Sequence, residues 1–429
     1  MSATRRAVIV AGVRTPFVRA FSEYTRMDTI ALGAATVRAL LASTGLSPRE
    51  VQSLVWGGVI LPNGAPNVGR EIALDLKLPP EAEAMTVTRA CASGLQAITL
   101  AAAAIERGEA DVVVAGGSDS TSNATIGLPP SFIQKVGKVA TNSKSGAMDY
   151  LRVLSTLSPT RDLLPRQPAI RERSTGELMG EAAERMAERM QVTREAQDQF
   201  AVESHHKAAA GFANGLLTPE VFTVETPDGQ RVHADTIVRA DTSLEKLAKL
   251  RPAFKKGGTL TAANSSALTD GAAGVLLMSE AKARALGMTP LAALKSWAYV
   301  GVDPADMLLM GPALAMPLAL QRAGLELRDV DLVDIHEAFA AQVLSVLKML
   351  GSDAFARQRL SRDRAVGEVD PARLNVFGGS VALGHPFGAT GARMVTTMAR
   401  ELHRRGAGTA VLGICAAGGL GAAAVLEAV

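Results

Sequence analysis

Short apolar runs alternate with longer stretches of helical spacing at both ends of the chain. AVIVAG, SLVWGG and ADVVVAGG come first, and LVDIH, LNVFGG and TAVLGIC follow toward the C-terminus. Apolar runs of this length bounded by glycine predict buried strands, because a strand covered on both faces needs no polar alternation. Between them, residues 29–43 and 391–405 carry alanine, leucine and arginine at helical spacing. This alternation predicts an α/β fold with parallel strands and helices on the sheet faces.

The two ends share a pattern. Cys91 leads into a glycine, a helical stretch and RGEADVVVAGGS; His385 leads into PFGATGARMVTTMARELH and then RRGAGTAVLGICAAG. A reactive residue, a helix, an Arg-Gly turn and a glycine-ended strand recur in one order, which suggests two similar halves facing each other. Between the halves, roughly 121–256, the texture changes. A proline-interrupted basic stretch without strands precedes a helical section that ends at Asn214-Gly215. An inserted, mainly helical layer is expected there.

Composition narrows the function classes. The chain has 429 residues, 48% hydrophobic and 20% charged, which describes a globular protein with a large core. Forty-five basic against 42 acidic residues leave a net +3, and aromatics are 4%. That balance argues against a dedicated nucleic-acid binder. Two cysteines exclude a disulfide scaffold and fit a reducing compartment, and no paired Cys/His metal spacing occurs. AVIVAGV is too short for a signal-peptide core, and there is no apolar span of 18 residues. With arginine in excess of lysine, a bacterial cytoplasmic protein is expected.

Reactive side chains concentrate at four glycine-adjacent turns. VTRACASGLQAI places Cys91 at or near a helix N-terminus, where backbone N–H groups would favour a thiolate. DIHEAFAAQ puts His336 at a strand end, NVFGGSVALGHPFGATGAR puts His385 in a turn before a helix, and GICAAGGLGAA ends a strand at Cys415. Together they offer a nucleophile, bases and backbone donors, the set that acyl transfer needs.

Over essentially the whole chain, this arrangement resembles the thiolase family. The matching motifs are RACASGLQA, LRPAF with TAANSSALTDGAA, HEAF, GGSVALGHPFGATGAR and CAAGGLGAA, in the family order. The His-Glu-Ala-Phe form is most similar to the thiolase β-subunits of fatty-acid oxidation trifunctional complexes; many other thiolases carry Asn where this chain has His336. The resemblance implies an α/β thiolase fold: two βαβαβαββ-like halves, mixed sheets stacked around central helices, and an inserted mainly helical loop domain. It would divide the chain into 1–285, including the loop domain at about 121–256, and 286–429.

The resemblance also implies the chemistry. Cys91 would attack a 3-ketoacyl-CoA and form an acyl-thioester, with His385 as its base and as an oxyanion donor. Cys415 would be the acid/base on the acetyl-CoA carbanion, a step that an ordinary thiol pKa of about 8.5 suits. His336 would position an oxyanion-hole water. Ala417, where many thiolases have glycine, would supply a backbone oxyanion donor. Ser266 and Arg239 would contact coenzyme A, the co-substrate; no permanently bound cofactor or metal is expected. The cluster Lys246, Lys249, Arg251, Lys255 and Lys256 could meet CoA phosphates, but a charge run is more often a solvated face and it is left out of the site.

The implied role is the last step of fatty-acid β-oxidation. The alternatives are an acetoacetyl-CoA-forming thiolase running in the condensing direction, a ketoacyl-synthase-like condensing enzyme, or a non-catalytic lipid-binding or scaffold protein. Cys415 with its glycine turn speaks against the synthase. A homodimer or larger assembly is implied, with a hydratase/dehydrogenase α-subunit as a further partner. Residues 131–170 hold six Lys/Arg and two Asp, +4 against +3 for the whole chain, so this segment is a candidate for docking a partner or anionic lipid.

Overall fold

A computed structural model describes residues 5–164 and 171–429; residues 165–170 of the basic stretch lie outside the described part. Two units pack separately. One comprises the described residues up to 123 together with 171–429, and the other comprises the described residues 124–164. The small unit holds the helices Pro130–Ala140 and Ala147–Leu154. The helices Met179–Arg189 and Arg194–Ala213, also within 121–256, belong to the large unit, with a two-stranded hairpin after them.

The strands are β1 (Ala7–Arg14), β2 (Val18–Arg19), β3 (Ser53–Gly57), β4 (Glu83–Val87), β5 (Val112–Asp119), β6 (Val224–Glu225), β7 (Arg231–Val232), β8 (Thr269–Ser279), β9 (Ala292–Gly301), β10 (Leu332–Ile335), β11 (Thr409–Ala416) and β12 (Leu420–Glu427). The main sheet runs β10-β11-β12-β9-β1-β8-β5-β3-β4, with β2 beside β8. It is mixed: β3 pairs parallel with β4 and β5, β10 with β11, and the inner ladders are antiparallel. Its two halves meet where Val8 and Ile9 of β1 pair with Ala293 and Ala292 of β9.

All eleven residues of β8 are buried, so both faces must be covered. Ala273, Val275 and Leu277 join a central core with residues of the helices Ser93–Arg107 and Gly388–Arg405 and of β11 and β12. Ala272, Leu276 and Met278 pack the other way, on Leu32, Val37 and Leu40 of the helix Thr29–Thr44. In the second half, Ala423 and Val425 of β12 likewise turn from the central core to Ala313, Met316 and Leu320 of the helix Gly311–Ala323. Two central helices flanked by covered sheet halves are the architecture that the resemblance implies.

The central helices meet at glycines. A Cβ on Gly94 would lie 2.4 Å from the carbonyl oxygen of Gly388, and one on Gly391 would lie 2.5 Å from the nitrogen of Leu95. Only hydrogen fits at either position, and this close crossing brings the two helix N-termini together. One expected strand is absent: LNVFGG at 374–379 makes only isolated bridges. Asn375 sits there at φ 42°, and its side chain accepts from Ile335 N–H and donates to Ile335 C=O. Backbone pairing with β10 is confined to Val333, which bonds Arg373 C=O and Asn375 N–H, and the Asn375 side chain makes the next bonds in place of a longer ladder.

Candidate active site

The pattern repeated in sequence converges in space. Cys91 lies two residues before the helix Ser93–Arg107, and His385 lies three before Gly388–Arg405. Their turns contain Ala90 at φ 45° and Phe387 at φ 22°, backbone conformations that cost on the order of 1–3 kcal/mol each and are held by the packing around them. His385 Nε2 lies 3.1 Å from Cys91 Sγ, and its Nδ1 lies 2.6 Å from Thr390 Oγ1. The His336 ring is 4.3 Å from that of His385, centroid to centroid, and its Nδ1 is 3.1 Å from Ser380 Oγ. His336 Nε2 is buried without a protein partner. The nitrogen and sulphur donors of Cys91, His336 and His385 all lie within 4.8 Å of one another, a spacing that one reacting group or a soft cation could bridge.

The turn after β11 closes the site. The backbone N–H groups of Ala417 and of Cys91 itself point at the Cys91 sulphur. Gly418 and Gly419 follow with φ of 84° and 66°, and Gly418 N–H donates to Glu172 Oε2 at 2.9 Å. Cys415, at the end of β11, is 1% exposed and electrostatically coupled to Cys91.

Electrostatics differ from the expectation raised by helix position. Burial pushes the Cys91 thiol up to about 11, although the N–H groups of Ala417 and Cys91 pull it down. Desolvation outweighs the helix terminus, so the resting sulphur is a thiol rather than a thiolate. Cys415 is likewise pushed well above the ordinary thiol range, first by burial and then by Cys91, not left near 8.5. Burial, then the Arg393 charge, lowers His385 to about 3. His336 falls well below its ordinary value through burial, His385 and Arg393. The resting site therefore holds neutral thiols and neutral imidazoles.

Ser266 belongs to this neighbourhood. Its N–H donates to Ala338 C=O, Ser265 bridges Phe339, and Leu268 bridges His385. Arg239 stands apart: its side chain is exposed and its N–H donates to His205 Nδ1. In the lysine cluster, Lys246 pairs with Asp241 and Lys255 with Glu188, as a solvated face would.

Sequence reading missed the supporting residues. Thr390, Ser380 and Glu172 are ordinary polar residues in linear sequence, and no spacing marks them. Asp119 had a signal, an acid ending a buried glycine-rich strand. Its carboxylate accepts from Val59, Ile60 and Gly388 N–H at 3.0, 2.6 and 2.7 Å, tying the His385 helix to the first half. Burial raises that carboxyl to about 7 against the downward pull of these bonds.

Comparison with known proteins bears on the family and the fold. Residues 7–281 match the thiolase N-terminal domain and 288–428 the thiolase C-terminal domain. The chain is 47% identical to a 3-ketoacyl-CoA thiolase of Pectobacterium atrosepticum, over 98% of this chain and 96% of that one. It is 46% identical to one of Yersinia enterocolitica, over 98% and 97%. Among solved structures, human mitochondrial 3-ketoacyl-CoA thiolase in complex with CoA superposes with a TM-score of 0.83 at 31% identity, over 99% of this chain and 98% of that one. Bacillus anthracis acetyl-CoA acetyltransferase gives 0.84 at 32%, over 100% of both.

Proposed function

This chain belongs to the thiolase family, and from that premise we propose that it cleaves 3-ketoacyl-CoA with coenzyme A, giving acetyl-CoA and an acyl-CoA two carbons shorter. The protein is an acyltransferase. The observation that carries the reading is the 3.1 Å contact between Cys91 Sγ and His385 Nε2, with two backbone N–H groups aimed at the same sulphur.

In this reading His385 takes the Cys91 proton as the sulphur attacks the keto carbon. The Ala417 and Cys91 N–H groups receive the oxyanion. The carbon–carbon bond breaks, its electron pair forms the acetyl-CoA enolate, and the Cys415 thiol protonates the enolate carbon. Incoming CoA gives up its thiol proton, restoring Cys415; its sulphur takes the acyl group from Cys91, and the released Cys91 thiolate takes its proton back from His385. His336 and His385 face the enolate oxygen, and Ser266 lies along the CoA arm. Arg239, exposed and apart, is left to the adenine end of CoA. The physiological setting proposed is the last step of fatty-acid β-oxidation.

Steady-state thiolysis of C4 and C16 3-ketoacyl-CoA tests this reading. Turnover of the C16 substrate at least comparable to C4 is expected; activity confined to C4 favours the acetoacetyl-CoA-forming alternative. The pH profile is a second test. His385, lowered to about 3, stays a competent base through mildly acidic pH, so kcat/KM for Cys91 acylation should show no acid limb near the ordinary histidine value of about 6.5. A limb there would mean that His385 titrates normally.

We further propose a homodimer, a hydratase/dehydrogenase partner subunit, and peripheral contact of 131–170 with anionic lipid. No helix among the described residues is long and apolar enough to cross a membrane. Exposed Ile133, Met148, Leu151 and Leu154 alongside Lys138 and Lys144 support surface contact instead. Light scattering at low micromolar concentration should give at least twice the 44.6 kDa chain mass. Co-sedimentation with phosphatidylserine-containing vesicles should exceed that with neutral vesicles and weaken with salt; equal, salt-insensitive binding sinks the electrostatic contact.

A further inference from the structure

Behind His336 runs a buried polar chain that the reaction scheme does not use. Arg393, in the helix Gly388–Arg405, is 1% exposed, and its Nη1 lies 3.6 Å from Asp334 Oδ2 in β10. Its Nη2 donates to Ser380 Oγ at 3.4 Å, and Ser380 Oγ lies 3.1 Å from His336 Nδ1. Arginine can only donate. Among the described residues, Ser380 Oγ has no hydrogen-bond partner other than these two.

The direction of each bond follows. Ser380 oxygen accepts from Arg393, so its own proton has one acceptor available, His336 Nδ1. That nitrogen must then carry the lone pair, and the ring proton sits on Nε2. Nε2 lacks a protein partner in either tautomer, so the difference lies at Ser380: the opposite tautomer would leave its buried hydroxyl proton without an acceptor, and an orphaned buried donor is costly. We infer that Ser380 and Arg393 are positioning residues that lock His336 in the Nε2–H tautomer, presenting a fixed N–H donor to the enolate oxygen, directly or through one water.

The neighbouring ring takes the other form. To accept the Cys91 proton, His385 needs its lone pair on Nε2, so Nδ1–H donates to Thr390 Oγ1. Two imidazoles 4.3 Å apart then hold opposite tautomers, one a donor and one a base. Asp334 faces Arg393 and keeps the guanidinium beside Ser380. This inference rests on the proposed reaction only for the identity of the oxyanion; the tautomer itself is a property of the resting protein.

The test is long-range proton–nitrogen correlation NMR on the full chain labelled with ¹⁵N-histidine near neutral pH, with His336 assigned by loss of its signals in His336→Asn. A protonated-type Nε2 and a lone-pair-type Nδ1 are expected for His336. In Ser380→Ala the two tautomers should mix, and exchange of the acetyl-CoA methyl protons should fall about 10-fold, short of the roughly 10²–10³-fold cost of deleting an oxyanion donor. KM and Cys91 acylation should hold, and Ser380→Thr, which keeps the hydroxyl, should restore exchange. A wild-type His336 protonated on Nδ1, or a Ser380→Ala protein unchanged in both spectrum and exchange, overturns the inference. If Ser380→Ala fails to fold, the wild-type spectrum alone decides. An Nε2–H tautomer in a protein without thiolysis would sink the proposed reaction and leave this assignment standing.

Discussion

Cys91→Ser is expected to lower thiolysis by about 10³-fold or more while leaving the fold unchanged. Serine is smaller than cysteine, so nothing near His385 has to move. The loss comes from chemistry. The cysteine thiol is raised to about 11 by burial, and in the proposed reaction His385, 3.1 Å away, takes its proton. A hydroxyl starts several units higher, and a neutral imidazole whose own value is depressed to about 3 is a poor match for it. The helix terminus cannot close that gap, because it does not produce a thiolate even from cysteine here. Far-ultraviolet circular dichroism and steady-state thiolysis measure the two halves of the expectation. A serine variant retaining a tenth of wild-type activity would mean that another group is the nucleophile.

Cys415→Ala should separate the reaction into its parts. Acylation of Cys91 by a good acyl-CoA donor should persist, since it uses Cys91, His385 and the backbone N–H groups of Cys91 and Ala417. Carbon–carbon cleavage and methyl proton exchange in acetyl-CoA should fall about 10²–10⁴-fold, the usual contribution of a general acid–base group. The raised value of Cys415 gives this a direction. A thiol held protonated is a ready acid for the enolate, and its thiolate, once formed, is a strong base for the reverse step. Intact-mass measurement of acyl transfer and deuterium exchange at the methyl group, made on one preparation, test both halves. Loss of acylation as complete as loss of exchange would make Cys415 a structural residue. Near-normal exchange would assign the proton transfer to another base.

Much of the fold is legible in the chain itself. AVIVAG, SLVWGG, ADVVVAGG and TAVLGIC lie in strands β1, β3, β5 and β11, and the helical patterns at 29–43 and 391–405 fall within Thr29–Thr44 and Gly388–Arg405. These elements carry their own signal, because apolar spacing and glycine stops are local. Strands β9 and β12 were not legible: ALKSWAYVG and GAAAVLE have no alternating pattern, and the alanine run reads equally as helix. Only the assembled sheet makes them strands: β12 is covered on both faces, whereas β9 buries Leu294, Ser296 and Ala298 and leaves Lys295 exposed and Trp297 and Tyr299 partly so. LNVFGG failed in the opposite sense, because its backbone pairs with β10 only at Val333 and the Asn375 side chain takes the bonds to Ile335 that a longer strand would have made.

The reactive residues were legible as types, since cysteine and histidine are rare in this chain and stand at turns, Cys91, His336 and His385 before helices and Cys415 at a strand end. Their state was not. Sequence position put Cys91 near a helix N-terminus and argued for a thiolate, but protonation is set by what surrounds the sulphur. His385, the nearest ring nitrogen, is 294 residues away in sequence. The same holds for Ser380, Arg393 and Asp119, whose roles depend on bonds between elements distant in the chain. Local pattern determined where the helices and most strands lie and which residues could react. The close crossing at Gly94 and Gly391 decided that they meet, and the burial it created decided their charge, because desolvation is a property of the assembled core and not of any segment.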